Sequence, residues 1–249
     1  MSVADSAFRA HALLPVFAKR VQQARECTRF AFELCQHPFI SFSAGKDSAV
    51  MLHIAAELYP NADVRILTGG ETRLLHSNLD DVLSWWKLHY PNLKFTEVFI
   101  DRVFSPEWID KSFFEQYVTF KNEWDDYLHT ENDDGVFIGL RSDESRYRRA
   151  WLKIRMNGFA IRQYEGKKRN GVYRICPLAD WSEKDVAAYI VKYSIPLLSG
   201  YDDMMTARTK TRIGGQAMIR YGQLAELRAR DPENYSKLIA RYPELARWT

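Results

Sequence analysis

Phe39-Ile40-Ser41-Phe42 runs directly into Ser43-Ala44-Gly45-Lys46-Asp47-Ser48, and Ala49, Val50, Leu52, Ala55, Ala56 and Leu58 follow before Tyr59-Pro60. The aromatic and apolar start predicts a short buried strand, the glycine-bearing hexapeptide a tight turn, and the apolar run beyond it a helix that the proline ends. A strand that feeds a helix N-terminus exposes backbone N–H groups and the positive end of the helix dipole, which together seat an anion. Phosphate suits such a seat. Lys46 adds a mobile cation, Ser43 and Ser48 add hydroxyl donors, and Asp47 adds a carboxylate able to hold magnesium against phosphate oxygens. The spacing is shorter than that of the GxxxxGK[ST] phosphate loop. The competing reading is a polar turn ahead of a helix.

The same alternation continues outward. Strands are predicted over 64–67, 95–100, 136–140 and 172–176, with a helix over 74–89 that carries Trp85 and Trp86. Strands alternating with helices imply right-handed crossovers and a mainly parallel sheet covered on both faces, with its ligand crevice beyond the carboxyl ends of the strands. Ser43 and Thr68 fall at such ends. Two β-like runs between Phe159 and Cys176 flank a basic turn and read as a hairpin. Beyond Pro15, Phe17, Val21, Ala24, Ala31 and Leu34 recur at helical spacing until His37-Pro38. After Ser182, whose pairing with Asp185 suggests a helix cap, further helices are expected over 216–230 and 232–241. Three parts result: an N-terminal helical segment over 1–37, a nucleotide-binding domain over 38–181 and a helical extension over 182–249.

At 249 residues and 46% hydrophobic content the chain can bury a sizeable core. No apolar run approaches the roughly 18 to 20 residues that cross a bilayer, so no membrane association is expected. The first residues lack the pattern of a secretory signal, and a cytoplasmic location is expected. A formal charge of +3 is too small to diagnose nucleic-acid binding by itself. Cys27, Cys35 and Cys176 fit neither a disulfide framework nor a zinc ligand set and read as reduced thiols.

Ser43-Ala44-Gly45-Lys46-Asp47-Ser48 resembles the Ser-Gly-Gly-Lys-Asp-Ser loop of the phosphoadenosine phosphosulfate reductase family, within the N-type ATP pyrophosphatases. Ala44 stands where that family commonly has glycine, which asks that its φ be negative. Thr68-Gly69-Gly70-Glu71-Thr72 is similar to a shortened form of the family's Thr-Gly…Pro-Glu-Thr segment. Gly139-Leu140-Arg141-Ser142-Asp143-Glu144-Ser145 with Arg148 resembles its Gly-Leu-Arg…Glu-Ser…Arg block, and Cys176-Pro177-Leu178, Trp181 and Asp185-Val186 resemble its Pro-Leu…Trp…Asp-Val segment. The resemblance implies a five-stranded, Rossmann-like α/β fold of the adenine-nucleotide alpha-hydrolase-like class. It implies ATP and Mg²⁺ as cofactors, with phosphates over residues 43–48, adenine near Thr68 and Gly69, and Gly139 and Arg141 facing the nucleotide. A guanidinium at a strand's carboxyl end can form paired bonds to phosphate, so Arg141 and Arg148 are candidate charge stabilisers alongside Lys46 and Asp47. Ion pairing of these arginines with Asp143 or Glu144 is the competing reading. Trp181 reads as core.

Reductases of the family carry a catalytic cysteine in a Glu-Cys-Gly-type tail, whereas this sequence ends Pro243-Glu244-Leu245-Ala246-Arg247-Trp248-Thr249. Nor does it have the paired cysteines of related iron–sulfur enzymes, so no iron–sulfur cluster is expected. The leading expectation is an ATP pyrophosphatase that activates an acceptor for sulfur transfer, with a cysteine desulfurase or other sulfur donor as partner. DNA is the favoured acceptor, alongside DNA-modification subunits, as in the family's DNA-phosphorothioation branch. Two alternatives are a reductase or sulfotransferase with a non-standard thiol, and a nucleotide-sensing binding module without turnover. A basic set comprises Arg146, Arg148, Arg149, Lys153 and Arg155, then Lys167, Lys168 and Arg169, then Arg208, Lys210 and Arg212. Either it forms a polyanion surface on which Tyr147 and Trp151 stack bases, or it is a solvated face whose aromatics lie in the core.

Overall fold

Short apolar strands separated by helices assemble into one six-stranded sheet. The structure is a computed structural model and describes residues 3–68, 72–99, 132–164, 171–199, 201 and 222–248. Its strands are β1 (Pro38–Phe42), β2 (Asp63–Thr68), β3 (Lys94–Phe99), β4 (Gly135–Phe137), β5 (Ile161–Gln163) and β6 (Tyr173–Ile175). Their order is β3-β2-β1-β4-β6-β5, and only β5 and β6 run antiparallel. Phe39, Ile40 and Phe42 of β1 are fully buried, as expected of a central strand covered on both faces.

The family resemblance implies five strands, and the described residues form six. The difference is the first arm of the 159–176 hairpin, which pairs along β6 with Ile161 opposite Ile175 and Gln163 opposite Tyr173. The hairpin's tip, with Lys167, Lys168 and Arg169, lies outside the described residues. β4 also stops earlier than expected: Ile138 N–H still bonds to Ile175 O beside β6, but the Leu140 N–H turns back onto Ile138 O.

The helices are α1 (Val3–His11), α2 (Pro15–Leu34), α3 (Lys46–Leu58), α4 (Thr72–Leu75), α5 (Leu79–His89), α6 (Arg146–Trp151), α7 (Glu183–Tyr193), α8 (Gln223–Arg230) and α9 (Pro232–Arg241). Every residue of α3 from Ser48 to Ala56 is buried, so the helix after the glycine turn is enclosed all round. The single helix expected over 74–89 is two. Asn78 donates through Nδ2 to Leu197 O at 3.0 Å and accepts from Ser199 N at 2.7 Å, while His76 Nδ1 lies 3.1 Å from Ser199 O. These tertiary bonds outweigh the local helical preference of the segment. The helix expected from residue 216 begins at Gln223, and residues 202–221 lie outside the described set.

Trp86, Trp181 and Tyr189 are among the largest buried side chains, and Trp181 packs edge-on to Phe17 at 6.1 Å, as a core residue. Val186, Ala187, Ala188, Tyr189 and Ile190 of α7 belong to the same core. Leu224, Leu227, Leu238 and Leu245 form a second, smaller core, against which Leu74 packs. Among the described residues no helix is long and apolar enough to cross a membrane.

Strand order fixes where a ligand can sit. From β1 the chain moves outward through β2 to β3, then returns to place β4 on β1's other side. The point between β1 and β4 is therefore the topological switch, where crossovers diverge and a crevice opens at the carboxyl ends. The Ser43–Ser48 turn follows β1, and Gly139-Leu140-Arg141 follows β4.

Candidate functional site

The turn after β1 is closed by its own serines. Ser43 N–H donates to Ser48 Oγ at 3.2 Å, and Ser48 Oγ donates to Gly45 O at 2.9 Å. Ser48's one hydroxyl proton is thereby used, so the 3.1 Å contact between the two hydroxyls has Ser43 as donor. Gly45 stands at the N-cap of α3 with extended backbone angles and makes no side-chain cap bond.

Ala44 corrects the expectation of a negative φ: its φ is +54°. The turn needs the left-handed conformation that glycine supplies freely, and alanine adopts it at a cost of about 1 kcal/mol. Its methyl is buried, which contributes about 0.8 kcal/mol in the opposite direction and explains how alanine is tolerated.

Gly139 brings the two halves of the site into contact. A Cβ there would lie 3.0 Å from Asp47 C and Ser48 N, both backbone atoms that cannot rotate away. The chain after β4 thus rests directly on the first turn of α3. Two residues on, the Arg141 side chain, 4% exposed, donates from Nε to Asp47 Oδ1 at 2.5 Å. Its Nη1 finds no hydrogen-bond partner among the described residues; Asp143 Oδ2 is 3.6 Å away. Its backbone N–H donates to Glu144 Oε2 at 3.0 Å, and Glu144 in turn pairs with Arg148.

Of the sequence-predicted residues, Lys46, Asp47, Gly139 and Arg141 therefore converge. Arg148 stands one step out, ion-paired to Glu144 and with its backbone N–H capped by Ser145 Oγ at 3.1 Å. Ion pairing with neighbouring carboxylates, the competing reading for these arginines, is realised at both. Thr68 ends β2, and Gly69 lies outside the described residues. Burial raises the Asp47 carboxyl above its ordinary value, aided by nearby Glu144 and opposed by Arg141 and Lys46.

Sequence reasoning missed Glu183. Lys46, buried at 5% exposure, forms an ion pair through Nζ with Glu183 Oε1 from the first turn of α7. Nothing local in the sequence links residues so far apart; the capping pattern at Ser182 predicts only that an acid there would favour the helix N-terminus. α7 itself is pinned by Asp185, fully buried, whose Oδ2 accepts from Ser182 N at 2.6 Å. Asp185 also binds His11 Nε2 at 2.8 Å and the Arg20 guanidinium. The two N-terminal helices thereby buttress the element that carries Glu183.

The aromatic pair divides. Tyr147 is 75% exposed on α6 beside exposed Arg146 and Arg149, whereas Trp151 is half-buried with the Arg174 guanidinium 4.8 Å from its ring centre. Lys153 is exposed and Arg155 bonds to Asp180 at 2.7 Å. Arg208, Lys210 and Arg212 lie outside the described residues. All three cysteines are free and buried, and burial pushes the Cys35 and Cys176 thiols up to about 12 and raises Cys27 as well.

A sequence profile of the phosphoadenosine phosphosulfate reductase domain matches residues 37–217, most of the chain. The chain belongs to that family. A search of the curated proteins found no matching sequence. Among solved structures, this family member is similar to a U34-tRNA thiolase from Methanococcus maripaludis, described with its 4Fe–4S cluster. The TM-score is 0.51 at 15% identity, covering 91% of this chain and 78% of that one. It also matches a phosphoadenylyl-sulfate reductase from Candida auris, a phosphate complex, at TM-score 0.48 and 18% identity over 79% of this chain and 89% of that one. A third match is the NMN synthetase of Francisella tularensis, at TM-score 0.46 and 13% identity over 82% and 81%. The likeness to the thiolase is one of fold: a mostly parallel α/β sheet with helices.

Proposed function

We propose that this reductase-family chain is an ATP pyrophosphatase that activates an acceptor for sulfur transfer. One observation carries the reading: Lys46, Asp47 and the buried Arg141 converge at the switch-point turn, while every thiol in the sequence is closed to solvent. A phosphosulfate reductase needs a thiolate nucleophile, and thiols held near 12 supply almost none at neutral pH. Charge stabilisation of a phosphate chain calls on cations instead, and Lys46 and Arg141 stand at the turn.

In the proposed reaction an acceptor oxygen bonds to the α-phosphorus of ATP, the bond from that phosphorus to the β-phosphate oxygen breaks, and pyrophosphate leaves. Lys46 and Arg141 stabilise the departing charge, with Arg141 Nη1 offering a donor that has no protein partner among the described residues. Magnesium fits the site as an ion carried in with the nucleotide. Asp47 Oδ2 accepts no hydrogen bond among the described residues, and magnesium is usually held by one or two carboxylates plus substrate phosphates. The ion would neutralise phosphate charge there.

The terminal sulfur of a persulfide on a partner, a cysteine desulfurase or another donor, then bonds to the activated atom of the acceptor and displaces adenylate. A second thiol of the donor cleaves the remaining S–S bond, leaving the sulfur on the acceptor and a disulfide on the donor. DNA is the acceptor we favour, as in phosphorothioate modification. Arg146, Arg149 and Lys153 support this as exposed cations in the same segment as the exposed Tyr147, a combination suited to a single strand's phosphates and bases.

The test is release of pyrophosphate from radiolabelled ATP by the purified chain, with and without DNA and a desulfurase. Pyrophosphate release is expected, and Lys46→Ala and Asp47→Ala each lose it by at least about tenfold while staying folded. Thioredoxin-dependent release of sulfite from phosphoadenosine phosphosulfate would favour the reductase. Tight ATP binding without product would favour a binding module.

A further inference from the structure

We infer that Glu183 is the site's own counter-ion: it competes with phosphate for Lys46 and makes the turn select a nucleotide carrying a divalent cation over the bare polyanion. This deepens the ATP reading above and rests on it.

The Lys46 ammonium is buried and already engaged by Glu183, whose side chain is 16% exposed. Arg141 is engaged by Asp47 and approached by Asp143. Asp143 also accepts the Glu183 backbone N–H at 3.3 Å, which closes the set into a ring around the start of α3. Among the described residues two cations therefore face three carboxylates, while the outlying Arg148 and Glu144 neutralise each other. A cradle for a bare polyanion has an excess of cations; the described part of this one has an excess of carboxylate. An incoming triphosphate meets repulsion unless it brings positive charge of its own.

The backbone that carries Glu183 is also held in place. Two residues later Asp185 is wholly buried and bound by His11, Arg20 and Ser182, so the first turn of α7 is fixed to the N-terminal helices. When phosphate takes Lys46, the Glu183 carboxylate nearby would repel it, and a divalent cation carried in with the nucleotide would relieve that repulsion.

The experiment is calorimetric titration of the full chain with ATP, in excess EDTA and in magnesium, for the wild type and Glu183→Gln. Wild type is expected to bind at least about tenfold more tightly with magnesium, and Glu183→Gln to gain about tenfold in EDTA and lose most of the metal advantage. Thermal melts separate this from a structural role. Without ligand the variant should melt lower, because the Lys46–Glu183 ion pair is lost, yet its rise on adding metal-free ATP should exceed that of wild type. Should Glu183→Gln not fold, Asp143→Asn weakens the same ring from a half-exposed position and is expected to raise metal-free affinity by a smaller factor. Unchanged or weaker metal-free binding in the folded variants, with wild type binding ATP normally, overturns the inference and leaves the ATP reading intact. Wild type that binds ATP under neither condition overturns both.

Discussion

Arg141 Nε donates to Asp47 Oδ1 at 2.5 Å, joining segments 94 residues apart in sequence across the crevice between β4 and β1. The pair makes two loops into one site, and its geometry needs the Nε–H of a guanidinium rather than a positive charge alone.

Arg141→Ala and Asp47→Ala are therefore expected to be non-additive. Each leaves a buried partner unsatisfied, so a double-mutant cycle by urea unfolding should give a coupling of about 1–3 kcal/mol. Arg141→Lys should recover little of it. Additive losses would mean that the contact does not bind the loops together.

At Gly139 the expected effect is steric. An alanine Cβ 3.0 Å from the backbone of Asp47 and Ser48 forces β4's exit away from α3. Gly139→Ala should cost about 1–3 kcal/mol and weaken ATP binding at least as much as the loss of one phosphate contact. Unchanged affinity in a folded variant would show that this close approach is dispensable.

The architecture was legible where sequence signals are local. Apolar runs ending at Phe42 and at residue 68, with helical periodicity between, disclose strand-turn-helix units, and Ser182 with Asp185 discloses a cap that the structure contains. Positions decided by tertiary contact were not legible. The break at Asn78 depends on bonds to residues 197–199, and the φ of Ala44 on how tightly the turn must close, whereas β5 is the first arm of the hairpin read between Phe159 and Cys176. Within the site, Lys46, Asp47, Gly139 and Arg141 are readable because glycine and charge coincide at strand ends. Glu183 was not, since its partner is set by α7's docking against α3 and by the N-terminal helices behind it.

That buttress has a pH signature. Burial opposes ionisation of Asp185, but bonds from His11 and Ser182 and the nearby Arg20 outweigh it and hold the carboxyl below its ordinary value. The unfolded chain then binds the proton more readily, so this contribution is fully present above about pH 4 and is lost as pH falls through the folded value. Melting temperatures of wild type should fall more steeply in that acid range than those of Asp185→Asn, which starts lower at neutral pH. Parallel curves would remove Asp185 from the account.

Thiol chemistry gives an independent check. With Cys27, Cys35 and Cys176 buried and their ionisation suppressed, iodoacetamide at pH 7.5 should leave the native chain unlabelled and modify three thiols only in denaturant. Cys176→Ser should retain ATP cleavage. Rapid native labelling of Cys176, or a folded but inactive serine variant, would restore a thiol mechanism.

The most direct measurement is a crystal structure of the chain with a non-hydrolysable ATP analogue and magnesium. The account predicts the phosphate chain over Ser43–Ser48, with Lys46 Nζ transferred from Glu183 to a phosphate oxygen and Arg141 Nη1 donating to another. An analogue bound elsewhere, with Lys46 still on Glu183, would contradict it.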